Sequence, residues 1–526
     1  MRLTCLFLVL PILNLSFCYK VLVYAPRLGH SHVSFLGTVA DVLVEEGFDV
    51  TVLLADLHPS VTTNGTTLAK TVVAKGDPEL SAYLGAGGDI SEFIWKAQTK
   101  NPLDQIELYR TTRWMFSTYC KNLYNQKTLM DDLRKEKFDL VISEAFDVCI
   151  FGALKWLQVK TSIIASSTIL LENTYLDVGV PLFPSFVPGL FAASSDQMSF
   201  VEKMKNALGM GIVAYYGRDV LGGIQELSNE KFGSDSTDIK KELSECSFVL
   251  VNADPLLDFA HPTLQKVVNI GGIAVREAKP LDAKWTRILS ERAQNVLISF
   301  GSVSPSRAMP SALKNQFLKM IIEFPEVTFI WKYEDSSHEI SKGIPNLVET
   351  PWMPQTDILN DPRTTLFITH GGMASVTESA SYGVPMLVIP VFADQMRNAK
   401  MVVRGSIGLD LDKHEIPDSN DLSDAVGRLL KEDAFKLNAQ RLAKMMKNRA
   451  VPVRDLLANH VRFAAEFGKL SNLRPISVDM SLYEYLFLDV LFVLVIAAFC
   501  ALIAVATLIR TIYKIGGSFI RKVKSD

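Results

Sequence analysis

Two kinds of apolar pattern alternate along the chain. Unbroken apolar runs of roughly four to eight residues, closed by glycine or proline, read as strands buried on both faces of a sheet. "YKVLVYAP", "DVTVLLA" and "FDLVIS" are such runs in the first half; "NVLISFGSV", "VTFIWKY", "TTLFITHGG" and "VPMLVIPVF" follow in the second. Between them lie stretches of helical period, such as Ser34 to Glu46 before Gly47. Strands alternating with helices imply parallel sheets, and two such sets imply an α/β chain of two doubly wound, Rossmann-like domains. The join falls around "NIGGIAVREAKPLDAKW", Asn269 to Trp285, so the domains are drawn as 19–275 and 276–480. Ligands of such sheets bind beyond the carboxyl ends of the strands, which predicts a site in a cleft between the two. Residues 174–216 break the pattern: apolar and punctuated by proline, they suggest either an apolar binding surface, a patch touching a membrane, or an insertion packed on the domain's own core.

Both ends of the chain carry apolar runs of another kind. Arg2 precedes Leu3 to Leu15, and Ser16-Phe17-Cys18 offers small residues where a signal peptidase cuts, so residues 1–18 read as a secretory signal peptide. Residues 490–509, "VLFVLVIAAFCALIAVATLI", hold no charge and as a helix span about 30 Å, the thickness of a bilayer core. Arg510, Lys514, Arg521, Lys522 and Lys524 follow this run, whereas Asp479, Glu484 and Asp489 precede it. The basic residues 510–526 are therefore expected to stay cytoplasmic, making the chain a single-pass type I protein with its body in the lumen. The ending "KVKSD" is similar to a dilysine signal of endoplasmic reticulum membrane proteins, which favours that membrane.

Composition changes this picture little. A net charge of −3 with mixed signs gives no reason to expect a nucleic-acid partner. Of the six cysteines, Cys120, Cys149 and Cys246 lie in the luminal body, enough for one disulfide and one leftover thiol, in no metal-binding spacing. Asn64-Gly65-Thr66 is a glycosylation sequon.

Candidate chemistry centres on "TLFITHGGMASVTESASYGVP". A strand ends at His370, Gly371 and Gly372, and a helix from Ala374 to Tyr382 is closed by Gly383 and Pro385. Such a turn brings bare backbone N–H groups to a helix start, which attracts phosphate; Ser375 and Glu378 also match a capping box that needs no ligand. "WMPQTDIL" begins 18 residues before His370, and the Asp of "VFADQ" lies 24 residues after it. In order and spacing, these 44 residues from Trp352 to Gln395 resemble the donor-binding signature of UDP-glycosyltransferases. "NVLISFGS", "NIGGI", the leader and the basic tail extend the likeness over nearly the whole chain. The nearest branch is the membrane-bound animal UDP-glucuronosyltransferases.

The resemblance implies two domains of the GT-B type facing across a cleft, and a role for each matching residue. Trp352 and Gln355 are expected to face the uracil and ribose. His370, with the backbone of Gly372 and Ser375 and the Ser302 loop, is expected at the diphosphate. Glu378 would accept from ribose hydroxyls, and Asp394 and Gln395 would hold the sugar. In the family the acceptor hydroxyl is deprotonated by a histidine of the first loop, steadied by an acidic partner. "LGHSHVSFLG" offers His32 at the family position and His30 two residues early. Where the family shows aspartate after "FDLVIS", this chain has Glu144, with Asp147 as the fallback. Ala374 replaces an asparagine that touches phosphate in many relatives.

The implied reaction is an inverting transfer of a sugar, glucuronic acid first, from a UDP donor to a hydroxyl of a small lipophilic acceptor. The UDP-sugar is a co-substrate, and no metal or other cofactor is expected. A UDP-glucosyltransferase and a catalytically silent nucleotide-sugar-binding partner are the alternatives. The lipid bilayer is the remaining partner, and homo- or hetero-oligomers are equally compatible with the sequence.

Overall fold

The computed structural model describes residues 18–85, 94–96, 102–302 and 304–523. The expected leader, but for Cys18, and Lys524 of the tail lie outside them. Two all-parallel sheets organise the body. The first has seven strands: β1 (Lys20–Pro26), β2 (Asp49–Ala55), β3 (Lys70–Ala74), β4 (Leu140–Glu144), β5 (Thr161–Ser166), β6 (Phe248–Val251) and β7 (Val267–Asn269), in the order β3-β2-β1-β4-β5-β6-β7. The second has six: β8 (Gln294–Ser299), β9 (Val327–Lys332), β10 (Leu347–Thr350), β11 (Thr364–Thr369), β12 (Met386–Val388) and β13 (Gly408–Asp410), in the order β10-β9-β8-β11-β12-β13. Each order reverses direction beside its first strand, β1 or β8, the doubly wound arrangement.

The unbroken apolar runs have a simple cause. On β1, Val21, Val23 and Ala25 join the core on one face of the sheet, while Leu22 and Tyr24 join the core on the other. A strand covered by helices on both faces buries every side chain, so the two-residue alternation disappears. Most strands that carry no such run are short or lie at an edge, as β3, which exposes most of its residues; the central β5 is buried throughout but is broken by Thr161, Ser162 and Ser166.

The helices that matter for the site are α1 (His30–Glu45), α2 (Pro102–Asn125), α3 (Phe200–Phe232), α4 (Met373–Tyr382), α5 (Gln395–Arg404) and α6 (Val453–Phe467). The last of these packs on the first sheet: Leu457, Val461 and Ala464, one helix face, share a core with Val21, Val23 and Leu250. A disulfide between Cys120 of α2 and Cys149 settles the cysteine pairing and leaves Cys246 buried and free.

Residues up to Arg474 form one compact unit, and those from Pro475 another. The second holds α7 (Leu488–Val523), whose stretch Leu488–Ser518 is long and apolar enough to cross a membrane.

Candidate active site

The carboxyl ends of both sheets open into one cavity of ≈ 970 Å³. Sheet order decides who meets there. The chain leaves β1 and enters α1 almost at once, so the first turn of α1 lies over the ends of β4 and β5, the next strands in the sheet. His32 sits in that turn, with its Nδ1 3.6 Å from Glu144 Oε2 and its ring edge-on to Phe146 at 4.9 Å. Nδ1 also meets the Oγ of Ser167, just past β5, in a short hydrogen bond. Glu144, fully buried, uses its Oε1 to accept the backbone N–H groups of Ala145 (3.0 Å) and Ser167 (3.2 Å), while Oε2 has no hydrogen-bond partner among the described residues.

The two alternatives raised by sequence separate here. Asp147 is buried and committed elsewhere, accepting from the Tyr24 hydroxyl at 2.7 Å and the Cys149 N–H at 3.0 Å. Burial pushes its carboxyl up to about 6. His30 lines the cavity, and burial together with Lys332 holds its imidazole below the usual range.

On the second sheet, β8 and β11 are neighbours, which brings the Gly301-Ser302 loop beside His370. The imidazole lies between two glycines: a Cβ at Gly301, where φ is +77°, would stand 2.8 Å from its Cε1, and one at Gly372 would stand 2.6 Å from its Nε2. Neither glycine is replaceable without moving the ring. Burial and the nearby Lys332 ammonium lower His370 to about 4, against a smaller opposing effect of a hydrogen bond to the Ser299 backbone, so at neutral pH the ring is uncharged.

The capping box expected from Ser375 and Glu378 does not form. Helix α4 begins one residue early, at Met373, with Gly372 as N-cap and no side chain on its N–H groups. Ser375 is thus inside the first turn and cannot cap it. The helix start stays open toward the cavity, which Gly372, Ala374 and Ser375 all line. Glu378 instead accepts from Gln355 Nε2 at 2.5 Å and from Thr356 Oγ1 at 2.7 Å, one bond on each oxygen. Burial pushes this carboxyl above its ordinary value, and the two hydrogen bonds pull it partly back. A second lone pair on each oxygen stays available. Trp352, 75% exposed, stands at the rim with the Lys332 ammonium 5.6 Å from its ring, an open face for a flat heterocycle.

The β12 end carries Asp394 and Gln395. Gln395 Oε1 accepts the N–H groups of Val391 and Phe392, at 2.8 and 3.0 Å, and so shapes the loop. Asp394 Oδ2 accepts from Asn398 Nδ2 at 2.8 Å, and the same amide donates to Gly371 O at 3.0 Å, tying this turn to the glycine turn. Burial raises the Asp394 carboxyl, and the nearby His32 lowers it in part. The two sheets' polar residues therefore converge.

All the donor-side positions named from sequence line this cavity, as do His32 and, beside it, a chamber walled by Tyr109, Phe116, Phe146, Phe191, Val213 and Tyr216. Tyr109 and Tyr216 stack at 4.6 Å. The 174–216 segment thus supplies part of the cavity's apolar wall, and it also packs inward through Met210 and Ala214. The outer side of α3 exposes Phe200, Met204, Leu208 and Tyr215. The roles of Ser167, Lys332, Thr356 and Asn398 were not legible in the sequence: Ser167 and Lys332 are brought here by strand order, Thr356 stands unmarked inside "WMPQTDIL", and Asn398 follows Asp394 by one helical turn. For Ser167 the one available signal is its place directly after a strand.

The arrangement can bind an anion at α4, a heterocycle at Trp352 and an apolar molecule in the aromatic chamber, with His32 where the polar and apolar halves meet. Solved structures share this architecture. A glycosyltransferase, VinC, in complex with DTDP superposes with a TM-score of 0.55 at 16% identity, covering 85% of this chain and 100% of that one. UGT2 of Phytolacca americana, complexed with UDP-2fluoro-glucose and pterostilbene, gives 0.58 at 15% identity, covering 85% and 100%. The fold is the GT-B glycosyltransferase fold. In sequence, the chain is 26% identical to a putative UDP-glucuronosyltransferase, ugt-46, of Caenorhabditis elegans, over 91% of each. It is 27% identical to UDP-glucuronosyltransferase 1A7 of Mus musculus, over 88% of this chain and 86% of that one. The family profile described as "UDP-glucoronosyl and UDP-glucosyl transferase" matches residues 19–522, and the chain belongs to this family of UDP-glycosyltransferases.

Proposed function

We propose that the protein transfers glucuronic acid from UDP-glucuronate to a hydroxyl of a small lipophilic acceptor, with His32 as general base. One observation carries this reading: His32 stands at the boundary between the aromatic chamber and the donor half of the cavity, with Glu144 behind it. His32 Nε2 takes the proton of the acceptor hydroxyl as its oxygen forms a bond to the anomeric carbon. The bond from that carbon to the diphosphate breaks on the opposite face, and UDP leaves with the electron pair, inverting the configuration. His370, the N–H groups of Gly372 and Ser375, and the Ser302 loop take up the charge on the diphosphate. Asp394 and Gln395 hold the sugar, and Glu378 the ribose. This reading needs no metal. Glucuronate is favoured over glucose by the names of the sequence relatives.

The leader, the apolar helix and the "KVKSD" ending support a type I protein of the endoplasmic reticulum membrane, glycosylated at Asn64. The Asn64 Oδ1 accepts from Arg27, which leaves the amide nitrogen for a glycan. Microsomes containing the protein, supplied with a phenol panel and either donor, test the reading. Glucuronide formed from UDP-glucuronate is expected. Product from UDP-glucose alone would sink the glucuronate assignment, and UDP binding without any product would favour the silent alternative.

A further inference from the structure

We infer that Ser167 is a positioning residue for His32: its hydroxyl, rather than the carboxylate, is the direct partner of Nδ1 before the reaction. This rests on the proposed function and sharpens how the base is held. Three observations join. The Nδ1 to Glu144 Oε2 separation, 3.6 Å, is beyond a hydrogen bond, whereas Ser167 Oγ is within one. Glu144 is drawn off the imidazole by its other oxygen, which two backbone N–H groups hold at the strand ends, one of them that of Ser167 itself. Ser167 is in turn clamped from the far side, its carbonyl accepting from Asn252 Nδ2 at 2.8 Å.

Ser167 therefore touches both members of the pair, one through its backbone and the other through its side chain. For His32 to receive a proton at Nε2, the resting proton must sit on Nδ1. A hydroxyl oxygen facing Nδ1 accepts that N–H, and the nearby carboxylate favours the same tautomer by attracting the positive end of the bond. The arrangement answers a specific difficulty of this chain. A glutamate at this strand end bends back to the backbone, and a hydroxyl fills the gap it leaves. When Nε2 gains the acceptor's proton, the imidazolium is near the Glu144 carboxylate on the first sheet, and Asp394 of the second sheet lines the same cavity.

The test uses the full chain in microsomes for kinetics and in detergent for spectroscopy. Ser167→Ala should lower kcat by about ten- to a hundredfold while the KM for the UDP-sugar stays within about twofold. Ser167→Thr, which restores the hydroxyl, should return most of the rate. With 15N-labelled histidine, the signal missing from His32→Ala identifies this ring. Its Nδ1 should be the protonated nitrogen in the wild type and Ser167→Thr, with both tautomers present in Ser167→Ala. An unchanged kcat in Ser167→Ala, or a wild-type ring protonated on Nε2, overturns the inference. If Ser167→Ala fails to fold, as judged by lost UDP binding, Ser167→Cys serves: similar in size and weak in hydrogen bonding, it should lose rate in the same way, and a wild-type rate overturns the inference. A wild type that transfers no sugar defeats the parent reading alone, because the tautomer measurement still decides the role of Ser167.

Discussion

Gly372→Ala tests the proposed placement of His370 at the donor diphosphate. The backbone at Gly372 has φ −60°, which alanine adopts freely, so the substitution carries no conformational strain. Its methyl group would stand 2.6 Å from His370 Nε2, closer than a real Cβ tolerates, and the ring cannot retreat freely because Gly301 packs on its other side. The imidazole must swing away from the helix start by a substantial fraction of an ångström. One hydrogen bond to the diphosphate would be lost, and a bond to a charged group contributes about 1.5–3 kcal/mol. UDP affinity should therefore fall about ten- to a hundredfold. Loss of glycine at the N-cap costs the fold at most about 1 kcal/mol, so thermal unfolding should change little. Gly47→Ala is the matched control, since φ there is +89° and, among the described residues beyond its chain neighbours, nothing lies within 4 Å of the added carbon. It should cost about 1–2 kcal/mol of stability and leave UDP binding unaltered. Isothermal titration with UDP and a thermal melt on each variant decide the matter. Wild-type UDP affinity in Gly372→Ala would refute the placement of His370 at the diphosphate.

Other outcomes follow from the same geometry. His32→Ala should reduce turnover by about 10²–10⁴-fold and keep UDP binding nearly intact, since the residues proposed to hold the donor belong to the other sheet; equal losses in both would place His32 in donor binding instead. Replacing Cys120 and Cys149 together by alanine should destabilise the protein by about 3–4 kcal/mol, the chain-entropy value for a crosslink across 29 residues, and an unchanged melting temperature would contradict this. Acid sensitivity should depend on His370. The unfolded chain binds a proton there below about pH 6.5, whereas the native state resists until about 4, so stability from this group falls as pH drops through that window. His370→Gln should flatten the melting-temperature profile between those limits, and a profile identical to the wild type would show that the ring titrates normally.

How far the sequence could be read depended on where the information lay. The central strands are legible because burial on both faces demands unbroken apolar runs, as Val21 to Ala25 show. Edge strands such as β3, exposed and short, face no such demand and leave no mark. The capping box at Ser375 and Glu378 had the right spacing and the wrong outcome. Spacing along the chain cannot tell where the helix begins; the N-cap falls at Gly372, three residues before Ser375, and Glu378 meets Gln355 and Thr356 instead.

That the positions from Trp352 to Gln395 face one cavity was legible in the sequence, because their order and spacing match a family signature and they lie close together along the chain. The partner of His32 was not. Three residues spread over 136 positions meet because β1, β4 and β5 lie side by side, and strand order is a property of the packed sheet. Tertiary structure alone shows Asp147 bound to Tyr24, Glu144 held back by backbone amides, and Ser167 in the space between. Local patterns record what each segment must bury; which distant polar groups then come within a hydrogen bond is settled only when the sheets have closed on their cores.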